Sequence, residues 1–89
     1  MQKLLQDVHI GKNLQRLRTS RNISQYDMVI KLQLLGRTMT RSNYANIEQG
    51  RGNVYISDLM LFKEIFNVPY EEFFQDLPSK SLHKPYNAL

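Results

Sequence analysis

Eighty-nine residues with a mass of 10.5 kDa make one small domain and exclude a multidomain enzyme. A composition of 42% hydrophobic and 22% charged residues is that of a folding globular chain, and the absence of cysteine excludes disulfide scaffolds, thiolate metal sites and cysteine nucleophiles. Twelve Lys and Arg against eight Asp and Glu give a net charge of +4. The charge is segregated: residues 1–52 carry Lys3, Lys12, Arg16, Arg18, Arg21, Lys31, Arg37, Arg41 and Arg51 against Asp7, Asp27 and Glu48, whereas the remainder is net acidic. A positive half fits a polyanion binder, and equally a solvated surface.

All three prolines lie at or after Pro69, and no stretch alternates with period two, so the expected class is all-α. Asp7 is placed to cap a first helix carrying Ile10, Leu14 and Leu17 at i, i+4 and i+7, ending near Arg21 and Asn22. Ser24-Gln25-Tyr26-Asp27 has the form of a capping box, with Met28, Val29 and Leu32 following on one face and Gly36 as the stop. Thr40 opens a third helix from Arg41 to Gln49, closed by Gly50. Leu59, Met60, Leu61, Phe62, Ile65 and Phe66 predict a fourth helix ending near Asn67, and Pro69 suits the first turn of a short fifth one through Phe74. Residues 1–78 form the expected domain and 79–89 a flexible tail. No apolar run approaches the ~20 residues of a membrane span, and residues 1–7 lack a leader's apolar stretch, so a cytoplasmic protein is expected.

The segments Ile10-Gly11-Lys12-Asn13-Leu14-Gln15-Arg16-Leu17-Arg18, Ile23-Ser24-Gln25 and Tyr44-Ala45-Asn46-Ile47-Glu48-Gln49-Gly50-Arg51 carry more than a helical pattern. Together they resemble the lambda-repressor-like (Cro/CI, or XRE) family of helix-turn-helix DNA-binding domains, over residues 10–74. The resemblance implies a compact five-helix bundle, here with an extended turn, Gln33 to Met39, between helices 2 and 3. Where many members carry Pro and then a small cap residue before the fourth helix, this chain has Val54, Tyr55, Ile56 and Ser57. A start of that helix shifted by a residue or two is therefore expected.

At 3.6 residues per turn, Tyr44, Ile47 and Glu48 share one face of the third helix, and Ser42, Ala45, Asn46 and Gln49 the opposite one. The first set belongs to the core. Within the resemblance, the polar face reads base edges: Arg41 suits guanine O6 and N7, Asn46 suits adenine, and Ser42 serves either. Gln25 takes the position at which family members bond a phosphate and brace the recognition helix, and Lys12, Arg37 and Arg51 are candidate phosphate neutralisers. Arg18 and Glu48 match a pair that joins helices 1 and 3 in the family. Because Glu48 falls on the core face, these two are assigned to architecture, as a structural ion pair.

The lone His9 and His83 have no ligand-spaced companions, and no nucleophile or carboxylate arrangement rises above chance. No enzyme, cofactor or metal is expected. The leading expectation is a sequence-specific transcriptional regulator, a repressor binding a double-stranded DNA operator as a homodimer. The alternative is a protein-interaction module, such as an antitoxin or adaptor, using the apolar helices 4 and 5. The fourth helix is apolar well round its circumference, which fits either self-association or burial within the monomer.

Overall fold

The computed structural model describes Lys3–Leu4 and residues 10–76. The order is β1 (Lys3–Leu4), α1 (Gly11–Thr19), α2 (Gln25–Leu34), α3 (Arg41–Glu48), β2 (Val54–Tyr55), α4 (Ile56–Phe66) and a 3-10 helix (Tyr70–Phe74). The expected Asp7 cap, His9, His83 and the tail 79–89 lie outside the described residues.

Local chemistry places the helix ends. Ser24 Oγ accepts from the Asp27 N–H and Thr40 Oγ1 from the Asn43 N–H, each at 3.0 Å, so α2 and α3 begin behind side-chain caps. At the end of α2, Gly36 takes φ +95°, its N–H bonds the Gln33 carbonyl, and the Arg37 N–H bonds that of Leu32. This double closure satisfies two of the orphan carbonyls at a helix end and needs a residue that tolerates positive φ. The chain then runs through residues 35–40 to α3, which packs against both α1 and α2.

Three expectations are corrected. Ile10 precedes the first helix instead of lying inside it; its carbonyl accepts the first helical bond, from the Leu14 N–H, and its side chain is still buried. The all-helical class holds except for one antiparallel pairing among the described residues, Lys3 with Tyr55 and Leu4 with Val54. The chain reaches α4 extended, leaving backbone groups that a second extended segment can bond. The fifth helix is one 3-10 turn, because five residues following Pro69 cannot repay the cost of nucleating an α-helix.

The core is built from Ile10, Leu14 and Leu17 of the α1 region, Met28 and Leu32 of α2, Tyr44 and Ile47 of α3, and Leu59, Phe62 and Phe66 of α4. Phe73 from the 3-10 turn completes it, tilted against Phe66 with ring centroids 6.5 Å apart. Leu61 and Ile65 pack partly against this cluster, so much of α4's wide apolar surface is absorbed within the monomer. Buried Asn13 ties the C-terminal turn to α1, its Nδ2 donating to the carbonyls of Phe73 and Gln75 at 2.9 Å each. Gly11 is required for close approach: a Cβ there would overlap the carbonyl oxygen of Glu48, where α1 meets the end of α3.

Candidate functional site

The site grows from the seam between α1 and α3. Arg18 Nε donates to Glu48 Oε2 at 2.7 Å and Nη2 to Oε1 at 3.1 Å, while Nη1 donates to the Ile23 carbonyl at 2.8 Å. The pair is bidentate and nearly dry, with side-chain exposures of 10% for Arg18 and 3% for Glu48. Burial alone would push the Glu48 carboxyl up, but the hydrogen bonds from Arg18 and Gln25 and the charge of Arg18 outweigh it, and the group titrates below the usual carboxylate range. The bond to Glu48 conversely raises Arg18 above its already high value against the pull of burial. Burial and the neighbouring carboxylate also drive the Tyr44 phenol far up, so it stays neutral, although its hydroxyl finds no partner at hydrogen-bond geometry.

From Glu48 the network runs outward. Gln25 Nε2 donates to Glu48 Oε1 at 3.1 Å, which orients the amide so that its oxygen points away from the carboxylate. That oxygen accepts from Arg41 Nη1 at 3.5 Å, the outer limit of a hydrogen bond. Arg41 thus stands exposed on the first turn of α3, lightly braced by a residue that the buried pair orients. Ser42 is exposed beside it.

The other predicted residues are placed differently. Asn46 is half-buried, lining a cavity of about 270 Å³ together with Asn43, Gly52, Asn53 and Tyr55. Lys12 is exposed on the first turn of α1, and Arg51, just after α3, bonds the Gln49 side chain. Arg37 is turned inward: its Nε donates to Asp58 Oδ1 at 2.7 Å, its Nη1 to the Thr38 carbonyl at 2.8 Å, and its guanidinium lies 5.8 Å from the Tyr55 ring centre. Asp58 is completely buried, and its second oxygen accepts from the Tyr55 N–H at 3.1 Å, at the start of α4.

Residue-by-residue reading missed Asn43, Asn53 and Asp58. Asn43 was within reach, since it stands three residues before Asn46 and so shares its side of the helix. Nothing local marks Asp58 as the partner of Arg37. The first-half cations are also less free than their number suggests, because Arg18 is neutralised by Glu48, Arg37 by Asp58 and Arg16 by Glu72. Among the described residues no cluster of His, Asp or Glu could hold a metal ion, and no helix is long and apolar enough to cross a membrane. Comparison with protein-family models, curated proteins and solved structures found no match for the chain.

Proposed function

We propose that the chain is a sequence-specific regulator of transcription, a cytoplasmic repressor that binds a double-stranded operator as a dimer, with α2 and α3 as a helix-turn-helix and α3 as its reader. The observation that carries this reading is the two-sided character of α3. One side is locked to α1 through Arg18 and Glu48, while the capped first turn presents Arg41 and Ser42 to solvent. A rigid helix offering a guanidinium fork at its N-terminal end suits a major groove. Gln25, Lys12 and Arg51 take the phosphate backbone in this reading; Arg37 is given up as a phosphate ligand because Asp58 holds it.

Selection of bound duplexes from a random pool tests the proposal. With Lys12 and Arg51 neutralising about two phosphates per protomer, the log affinity of the dimer should fall with log salt at a slope near ~−4. Arg41→Ala and Asn46→Ala should each weaken binding to the selected operator by ~1–3 kcal/mol per half-site and leave unrelated duplex nearly unchanged. Absence of any salt-sensitive duplex binding, together with a stoichiometric protein partner, would replace this reading by the interaction-module one. The observation favouring that second reading is the exposure of Ile56 and Met60 on α4 and of Tyr70 and Phe74 on the 3-10 turn.

A further inference from the structure

Tyr26, Ile30 and Leu34 stand at i, i+4 and i+8 on α2 and are 64%, 39% and 81% exposed, whereas Met28 and Leu32 of the same helix are completely buried. A helix apolar on both sides normally meets something on each. At the C-terminal end of this stripe, Leu34 and Leu35 face Ile65 of α4 across a groove of about 280 Å³. The groove is also lined by one cation, Lys31, and one anion, Glu64. Neither has an ion-pair partner among the described residues.

We propose that this groove is the surface through which two copies of the chain associate about a twofold axis. Such an interface sets a patch against itself, so it must be self-complementary in both polarity and charge. This one is. Its leucines and isoleucine can close on their own copies, and antiparallel placement brings Lys31 of one protomer to Glu64 of its partner, twice over. A groove lined by charges of one sign would repel its copy. The inference deepens and rests on the dimer part of the function proposed above, but its test uses no DNA, so its failure is told apart from a failure of duplex binding.

Sedimentation velocity on the full chain across a concentration series should show a reversible monomer–dimer equilibrium. Leu34→Asp, at a position exposed enough to leave the fold intact, should raise the dimer dissociation constant about tenfold or more, with the melting temperature as the check on folding. Lys31→Glu should weaken the dimer, and adding Glu64→Lys to it should restore wild-type association by reversing both charges. A chain that stays monomeric at every concentration overturns the proposal. So does a dimer indifferent to Leu34→Asp, a double variant no better than Lys31→Glu alone, or a monomer that takes a different protein in this groove.

Discussion

Of the first-half arginines that end in ion pairs, Arg18 and Arg37 were not equally readable. Arg18 meets Glu48 with both side chains withdrawn from water, joining α1 to α3. Arg37 meets Asp58 with one third of the arginine side chain exposed and none of the aspartate, joining the turn after α2 to the start of α4. Glu48 could be placed from the helical wheel, since it shares a face with Tyr44 and Ile47 and an unpaired carboxylate there would be costly. Arg37 follows a glycine turn, where a basic residue normally faces solvent, and it was expected on phosphate. A charge on a regular element announces its side by periodicity, whereas one in a turn takes its role from whatever the fold brings near.

The largest expected effect lies on the drier pair. Arg18→Ala and Glu48→Ala should each destabilise the fold by about 3 kcal/mol, because the partner is left charged and out of water. Denaturant melts check this, and losses within ~0.5 kcal/mol, the range of ordinary surface changes, would make the two pairs equivalent. Gly11→Ala probes the same seam from the backbone side. Alanine is intrinsically the better helix former by about 1 kcal/mol, but overlap with the Glu48 carbonyl should turn that gain into a net loss of about 2 kcal/mol. A stabilised variant would show that α1 and α3 can separate at little cost.

For the wetter pair the expected loss is smaller. Arg37→Ala should cost about 2 kcal/mol, since Asp58 keeps the Tyr55 N–H and solvent can partly reach the vacated site. Its salt slope for DNA should stay unchanged, and a stable Arg37→Ala protein with a shallower slope would return this residue to the phosphate backbone. The smallest effect is a pH dependence at the drier pair. Glu48 titrates lower in the folded chain than in the unfolded one. Its contribution is therefore complete above the ordinary glutamate value of about 4.3 and is lost as pH falls through the folded value. The stability gap between wild type and Glu48→Gln should be widest near neutral pH and narrow in acid. A gap constant into acid would mean that the pair does not depend on the ionised carboxylate.

Sequence alone determined what is local or periodic in this protein. Ser24 and Thr40 cap the helices they precede because a side-chain oxygen three residues before an amide is enough to satisfy it. Gly36 ends α2 because few other residues adopt its positive φ, and the apolar spacing of Leu14, Leu17, Tyr44 and Ile47 places them inward. Tertiary structure decided what depends on residues far apart in the chain. The pairing of Lys3–Leu4 with Val54–Tyr55, the bonds from Asn13 to Phe73 and Gln75, and the capture of Arg37 by Asp58 have no periodic or short-range signature. The same holds for the site. That Arg41 begins a helix with a polar side was readable, but Gln25 bracing it from Glu48 follows from how α2 packs on α3, and Asn46 bordering a cavity from how the segments before and after α3 fold beside it. A polar side chain can bond many partners with nearly equal energy, and only the assembled fold selects which one comes within 3 Å.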